Sequence, residues 1–313
     1  MSELTLKDYA EMPPEQLRAR IAEWKKKREA VILAHNYQRN EIQVVADYLG
    51  DSLDLSRRAS ATEARTIVFC GVMFMAETAK ILSPQKTVLI PEPGAGCPMA
   101  SCATLEDVLE FRKKYPNHVF ITYVNSSAEV KAVSDICCTS ANAVQVVKSF
   151  GDKPVVFLPD KNLGSWVKKI LGKEDMILWD GGCYVHQLIT IEHIKEGRKK
   201  YPDVAIIVHP ECLPEVIAEA DVVASTNGMY KWVAEHDKPA LLGTEIGLVE
   251  RIRREMPEKK VGWLKGDAIC SNMKLTTLAK LARALELGIF EVKIDESIRV
   301  PAETALRKML ELG

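Results

Sequence analysis

Three cysteines stand at nearly equal spacing along the chain and could share one ligand. Intervals of 86 and 87 residues separate Cys97, Cys183 and Cys270. Each is followed seven residues later by a threonine that begins an apolar-periodic run. Three thiols at the same place in three successive units would converge on a pseudo-threefold axis, and converging thiolates are typical ligands of zinc or of an iron–sulfur cluster. The spacing therefore predicts one soft-metal site.

The residues alone leave the identity of this metal open. Zinc needs a fourth ligand, and His186 could supply it in a closed Cys3His site. A [4Fe–4S] cluster held by three cysteines keeps one iron open as a Lewis acid for a substrate hydroxyl or carboxylate. The sequence contains no tight Cys-x3-Cys-x2-Cys run, so it does not favour a ferredoxin or a radical enzyme. Cys102 lies five residues after Cys97, so a disulfide between these two is an alternative. We interpret the remaining four cysteines as packing residues: Cys70, Cys137, Cys138 and Cys212.

Candidate acid–base side chains come directly after predicted strands. They are His35, Tyr37, Tyr123, His209 and Glu211. The two histidines occupy matching places in the first and third units, since 174 residues, or two periods, separate them. Hydroxyl groups also recur about once per unit at predicted helix starts, where they would either cap the helix or bind an anion: Ser52, Ser140 and Thr226. No phosphate-binding loop or dinucleotide fingerprint indicates a nucleotide cofactor.

An internal repeat of about 85 residues must position these groups. Residues 112–116 recur as 198–202, and residues 152–154 recur as 237–239. Each unit opens with an amphipathic helix (near 13–29, 104–115 and 190–201) and continues with short β-branched strands that alternate with helices. This alternation predicts parallel sheets, which place reactive groups at the carboxyl ends of their strands. Residues 277–288 begin a fourth, incomplete unit, and residues 301–312 are predicted to form a closing helix.

Length and composition set broad limits on the class of protein. The 313 residues are 47% hydrophobic and 27% charged, as in ordinary globular proteins. A formal net charge of −1 does not indicate a nucleic-acid or membrane-surface partner. No targeting segment or spanning apolar run is recognisable, so we expect a cytoplasmic protein. In that compartment some of the eight cysteines are better explained by metal binding or catalysis than by disulfides.

Taken together, the motifs resemble those of the quinolinate synthase family. The resemblance runs from about residue 30 to 275. The matching segments are residues 34–38, 50–53, 75–80, 123–126, 139–143, 159–163, 183–186, 209–212 and 224–229. It implies three α/β/α units with parallel sheets around a pseudo-threefold axis and a [4Fe–4S] cluster at the centre. The units would span residues 1–103, 104–189 and 190–275, and residues 276–313 would form a C-terminal helical closure on the first unit.

The resemblance also implies an activity in NAD biosynthesis. Such enzymes are transferases that condense iminoaspartate with dihydroxyacetone phosphate to give quinolinate, phosphate and water, and L-aspartate oxidase is a possible functional partner. Cys97, Cys183 and Cys270 would bind the cluster, and Cys102 would not. The implied catalytic residues are Tyr37, Tyr123, His209 and Glu211. The implied substrate-binding residues are His35, Ser52, Tyr123, Asn125, Ser140, His209, Glu211, Ser225 and Thr226.

Two other functions are compatible with the same residues. In one, Cys97, Cys183, Cys270 and His186 bind zinc and join three lobes around a small anionic ligand. In the other, a cluster-dependent hydro-lyase only dehydrates a hydroxy acid. Some relatives carry a further cysteine close to the third ligand, whereas this chain has Ser271, Asn272 and Met273 there, so redox switching at that position is not expected.

Overall fold

The computed structural model describes residues 4–312 and contains three four-stranded parallel sheets. In each sheet the strand that comes first in sequence lies between the second and the third, and the fourth strand forms an edge. The strands are β1 (Ala30–His35), β2 (Tyr48–Gly50), β3 (Thr66–Cys70), β4 (Thr87–Leu89), β5 (Val119–Tyr123), β6 (Ile136–Cys138), β7 (Val155–Leu158), β8 (Ile177–Leu178), β9 (Ala205–Val208), β10 (Val222–Val223), β11 (Ala240–Gly243) and β12 (Val261–Trp263). The repeated α/β architecture predicted from the sequence is therefore confirmed.

The helices follow the same repeat. Those of the described chain are α1 (Leu6–Ala10), α2 (Pro14–Lys27), α3 (Asn40–Val45), α4 (Ser52–Ala61), α5 (Met73–Leu82), α6 (Leu105–Lys114), α7 (Ala128–Ala132), α8 (Ala143–Lys148), α9 (Lys161–Leu171), α10 (Tyr184–Gln187), α11 (Ile191–Lys200), α12 (Pro214–Glu219), α13 (Thr226–Glu235), α14 (Ile246–Glu255), α15 (Leu278–Leu287) and α16 (Glu296–Glu311). The predicted opening helices correspond to α2, α6 and α11. Since helices connect the parallel strands, the central strands are buried almost throughout.

One hydrogen bond recurs in all three sheets and shows how closely the units match. An aspartate located 15 residues after a residue of the first strand of the sheet accepts that residue's backbone N–H. Asp47 accepts from Ile32 at 2.8 Å, Asp135 accepts from Phe120 at 2.8 Å, and Asp221 accepts from Ile206 at 2.7 Å. Each aspartate precedes the second strand, so it fixes the amino-terminal edge of its sheet.

The chain divides into two compact units. The first comprises Met1–Cys97 with Ser271–Glu296 and contains the first sheet and α15. Here α15 packs against α2, and Arg20 of α2 forms an ion pair with Glu286 at 2.6 Å. Buried apolar residues of β1, α2 and α15 form one core cluster.

The second compact unit comprises Pro98–Cys270 with Ser297–Gly313 and contains the other two sheets. Within it, Asn142 donates from Nδ2 to the backbone carbonyl of Met309 in α16, at 3.2 Å. This division does not test the domain boundaries proposed from the sequence, so they stay predictions.

The closing helix begins earlier than the sequence pattern predicts. It starts at Glu296 and not at Pro301, which lies inside it. Proline removes one backbone hydrogen bond from a helix interior. The helix nevertheless continues because its buried face, which includes Ala302, Leu306 and Met309, packs against the protein. Among residues 4–312 no helix combines the length and the apolar character needed to cross a bilayer.

The recurring aspartate predicts a measurable contribution to stability. Replacing Asp135 by alanine removes the acceptor of the Phe120 N–H and the partner of Arg112, which lies 3.1 Å away. Because a buried donor loses its acceptor, we expect the free energy of unfolding to fall by about 1–3 kcal/mol in urea denaturation. Asp203→Ala, at an exposed position, is the control and should leave the midpoint unchanged. Equal midpoints for both variants would contradict the assignment.

Candidate functional site

The side chains singled out in the sequence follow the carboxyl ends of the strands, as predicted for parallel sheets. In the first compact unit these are His35 at the end of β1, Tyr37 after β1, Ser52 after β2, and Cys97 after β4. In the second compact unit they are Tyr123, Asn125, Ser140, Cys183, His209, Glu211, Ser225, Thr226 and Cys270. The two groups belong to different compact units.

In the first compact unit a tight turn after β1 orients His35. The backbone N–H of Tyr37 donates to His35 Nδ1 at 3.2 Å, and the two rings meet edge to face with centroids 4.5 Å apart. An Nδ1 that accepts a hydrogen bond places the proton of a neutral imidazole on Nε2. His209 is held in the same way in the second compact unit, by the N–H of Glu211 at 3.3 Å. The matching places predicted for the two histidines are therefore confirmed.

The centre of the second compact unit's site is the buried carboxylate of Glu211. Tyr123 donates its hydroxyl to Glu211 Oε1 at 2.5 Å, and His186 Nδ1 lies 2.9 Å from Oε2. His209 Nδ1 lies 3.8 Å from Oε1, and the rings of His186 and His209 stack with centroids 4.6 Å apart. Tyr123 ends β5 of the second sheet and Glu211 follows β9 of the third, so this carboxylate joins two repeats.

The electrostatics of this cluster keep Glu211 ionised. Burial by itself raises the pKa of the Glu211 carboxyl, but the neighbouring His186 and His209 and the hydrogen bonds from His186 and Tyr123 lower this pKa to about 2. Asp160 shows the opposite behaviour, because burial and the nearby charge of Glu211 raise its pKa well above the ordinary value. The site therefore pairs one strongly ionised carboxylate with one carboxyl group that favours its protonated form.

Several members of this cluster are not identified by the sequence pattern. The pattern offers His186 only as a zinc ligand, yet this residue contacts Glu211, and its Nε2 lies 3.0 Å from the hydroxyl of Thr244. Asn162 donates from Nδ2 to the backbone carbonyl of Glu211 at 3.1 Å. Only their position in the sequence could have identified them. Asp160, Asn162 and Thr244 all come just after the third strand of a repeat, at its carboxyl end.

The remaining polar candidates lie at helix starts or in loops. Asn125 Oδ1 is buried and has no hydrogen-bond partner in the described chain, which suits a group that meets a ligand. Ser52 and Thr226 are the first residues of α4 and α13, but the caps are their neighbours Asp51 and Ser225. The interpretation of Ser52 and Thr226 as N-caps is therefore wrong. Ser140 lies in the loop ahead of α8 and does not start that helix.

The eight cysteines, all in the described part of the chain, fall into three classes of exposure. Cys97, Cys183 and Cys270 are half-buried, Cys102 is exposed, and the four interpreted as packing residues are buried: Cys70, Cys137, Cys138 and Cys212. None of these eight forms a disulfide, so the disulfide alternative for Cys97 and Cys102 is not supported. Half-buried thiols suit a metal group with one face open to substrate. Cys183 and Cys270 also border the same apolar cluster.

Among residues 4–312, one set of possible metal-ligand atoms gathers closely. It consists of Cys183, His186 and Glu211, whose ligand atoms lie within 4.8 Å of one another. Cys270 does not belong to this set, although a single zinc ion bound by three cysteines and His186 would require it to lie there.

Comparison with known proteins agrees with the residues quoted above. A family model described as "Quinolinate synthetase A protein" matches residues 19–311. The quinolinate synthase of Thermodesulfovibrio yellowstonii is 50% identical over 289 residues, which cover 92% of this chain and 95% of that protein. The enzyme of the same name from Dehalococcoides mccartyi is 51% identical over 294 residues (94% and 97%). That of Caldicellulosiruptor saccharolyticus is 45% identical over 303 residues (96% and 100%).

The depressed pKa of Glu211 predicts a specific pH dependence of stability. Since its folded pKa of about 2 lies below the ordinary 4.5, the carboxylate stabilises the fold above pH 4.5, and this contribution is lost as the pH falls toward 2. Glu211→Gln lacks the contribution, so its melting temperature should fall below the wild-type value at pH 6 and approach it between pH 4.5 and 2. Calorimetry of metal-free protein measures this difference.

Glu235→Gln, at an exposed site, is the control for this pH series and should follow the wild type throughout. A melting-temperature difference between the wild type and Glu211→Gln that stays constant from pH 6 to pH 2 would refute the assignment.

Proposed function

The chain belongs to the quinolinate synthetase A family, and we propose that it condenses iminoaspartate with dihydroxyacetone phosphate to form quinolinate, with loss of phosphate and water. Relatives at about 50% identity over nearly their whole length carry the name quinolinate synthase. The chain is accordingly a quinolinate synthase, an enzyme of NAD biosynthesis. The observation that carries the proposed chemistry is the buried network of Tyr123, Glu211, His186 and His209 beside Cys183.

A [4Fe–4S] cluster is the proposed cofactor, with Cys97, Cys183 and Cys270 as its ligands. The half-buried position of these three thiols and their nearly equal spacing support this assignment. When bound through three cysteines, such a cluster supplies one open iron that acts as a Lewis acid toward a substrate hydroxyl or carboxylate. Its position at the centre of three units follows from the repeat and belongs to the same proposal.

Tyr123 and Glu211 are the proposed proton-transfer pair. The ring-forming reaction moves protons between carbon, nitrogen and oxygen, so it needs a group that can both hold and release one. A phenol that donates to an ionised carboxylate at 2.5 Å is placed for this, since the carboxylate stabilises the hydrogen-bonded proton between them. Glu211 also lies 2.9 Å from His186 Nδ1, and this contact helps to hold the carboxylate in place opposite Tyr123.

The other predicted residues would bind and orient the substrates. His35 and His209 each use Nδ1 as an acceptor within their own turn, so their Nε2–H groups would donate to substrate oxygens. Tyr37 stays a catalytic candidate through its contact with His35. The groups proposed to bind carboxylates or phosphate are hydroxyls and an amide near strand ends and helix starts: Ser52, Asn125, Ser140, Ser225 and Thr226.

The cellular setting is part of the proposal. We expect cytoplasmic residence and a functional link to L-aspartate oxidase, because iminoaspartate is an unstable imine that an amino-acid oxidase must supply. The rival hydro-lyase would carry a cluster but make no quinolinate. The zinc-binding rival would contain neither iron nor sulfide, and its protein would be colourless. Anaerobic purification followed by metal, sulfide and product analysis separates these three functions.

The cluster assignment predicts a pattern of cysteine variants. Anaerobic wild-type protein should contain about four irons per chain with matching sulfide. Cys97→Ser, Cys183→Ser and Cys270→Ser should each lose the brown absorption and most of this iron, because a cluster with only two thiolate ligands is labile. Cys102→Ser is the matched control and should keep both iron and sulfide, since its thiol is exposed and outside the proposed ligand set. One zinc per chain without sulfide would refute the cluster.

The proton-transfer assignment predicts a separate kinetic effect. Tyr123→Phe removes the hydroxyl that donates to Glu211 but keeps the ring, so the fold and the iron content should stay. Loss of a general acid–base group lowers kcat by about 10²–10⁴-fold. The rate of quinolinate formation from enzymatically generated iminoaspartate measures kcat. Tyr201→Phe, at an exposed position, is the control and should keep the wild-type kcat. Full activity of Tyr123→Phe would remove Tyr123 from the catalytic set.

A further inference from the structure

One recurring hydrogen bond joins each loop that precedes Cys97, Cys183 or Cys270 to the start of a neighbouring helix. In each repeat, the first residue of the helix after the third strand donates its N–H to the carbonyl two residues before the cysteine. Met73 donates to Ala95 at 2.7 Å, Lys161 donates to Gly181 at 2.9 Å, and Ile246 donates to Ala268 at 3.1 Å. The start of this helix therefore fixes the backbone that leads into Cys97, Cys183 and Cys270.

The residue immediately before this donor is an acid in two of the three repeats. Asp160 precedes Lys161 and Glu245 precedes Ile246, and 85 residues, one period, separate the two acids. Both side chains are fully buried. The first repeat has Val72 at this position, so no side-chain oxygen is present there.

Glu245 connects its helix directly to a proposed cluster ligand. Its Oε2 accepts the N–H of Gly247 at 2.7 Å, and its Oε1 accepts the backbone N–H of Cys270 at 3.2 Å. Glutamate is not among the preferred helix caps, which have shorter side chains. Capping α14 alone would need one oxygen, whereas the longer side chain of Glu245 spans two elements.

Asp160 occupies the matching place beside Cys183. Its Oδ1 caps α9 by accepting the N–H of Leu163 at 2.7 Å. Its Oδ2 makes no hydrogen bond of standard length in the described chain, but the backbone N–H of Cys183 is close enough to interact with the carboxyl group electrostatically. The approach of the two loops depends on Gly181, because a Cβ there would lie 2.5 Å from the carbonyl oxygen of Pro159.

We propose that Glu245 and Asp160 are positioning residues that preorganise Cys270 and Cys183 for the cluster, with Glu245 making the stronger contact. A buried carboxyl group is costly, and both residues offset part of that cost by accepting a backbone N–H at the start of a helix. Glu245 also accepts the N–H of the ligand Cys270. They hold the ligand loop in place before and after the cluster binds, as outer-shell partners do in other metal sites. The inference rests on the proposed ligation by Cys183 and Cys270.

The test compares iron retention with overall stability. Glu245→Gln keeps the shape of the side chain but offers one strong acceptor where glutamate offers two, so either Gly247 or Cys270 loses its partner. Anaerobic holoprotein is mixed with an iron chelator, and the rate of iron release is followed with the thermal unfolding curve. We expect Glu245→Gln to release iron about 10–100-fold faster than the wild type.

Asp221→Asn is the matched control for a purely structural effect. Asp221 also accepts a backbone N–H of the third sheet, from Ile206 at 2.7 Å, but at the opposite end of the strands. Its replacement should lower the melting temperature without speeding iron release. Iron release from Glu245→Gln no faster than from Asp221→Asn would overturn the proposal.

A second pair of variants keeps the proposal testable if Glu245→Gln does not fold. Asp160→Asn is then compared with Asp135→Asn, which removes the matching acid at the amino-terminal edge of the second sheet. Faster iron release from Asp160→Asn supports the proposal, and equal rates overturn it. Cys270→Ser distinguishes failure of the positioning role from failure of the proposed ligand assignment. If Cys270→Ser retains the cluster, the ligand assignment itself fails. If it loses the cluster while Glu245→Gln releases iron at the wild-type rate, only the positioning role fails.

Discussion

The buried carboxylate of Glu211 is the interaction on which the arrangement of the second compact unit's site depends. A carboxylate removed from water requires several polar partners, and Glu211 has Tyr123 from the second repeat and His186 and His209 around it. Because these partners come from different elements, their contacts with one anion fix the relative placement of the strands and the helix that carry them. The same contacts keep the carboxylate ionised and supply the proposed proton-transfer groups.

The parallel sheet explains why all three repeats carry functional groups at equivalent positions. Every strand of a repeat points its carboxyl end to the same edge, so the residues after the strands become neighbours. The aspartates at positions 47, 135 and 221 fix the opposite edge in each sheet through the same backbone contact. Structural acids are thus found at one edge and chemically active groups at the other, which separates stability from function along each strand.

The repeats have diverged where their chemistry differs. The position after the third strand holds Val72, Asp160 and Glu245 in turn, so the acid that faces a ligand loop is present in two units and absent from the first. The carboxyl end of the first strand carries a histidine with an Nδ1 acceptor in the first and third units, whereas the second unit has Tyr123 there. The substrates proposed above are asymmetric, and their carboxylates, carbonyl and phosphate would require different partners in the three repeats.

The sequence by itself determined the repeat, the strands and helices, and the residues that follow the strands. It did so because hydrophobic periodicity is local and because the spacing of cysteines and histidines records the period directly. The tertiary structure decided which of these residues meet. Tyr123 and Glu211 are 88 residues apart, and His186 joins them from α10, so their contact depends on how two sheets pack. It also decided that Asp51 and Ser225, and not Ser52 and Thr226, cap their helices, since a one-residue difference at a helix start depends on backbone dihedrals that composition does not specify.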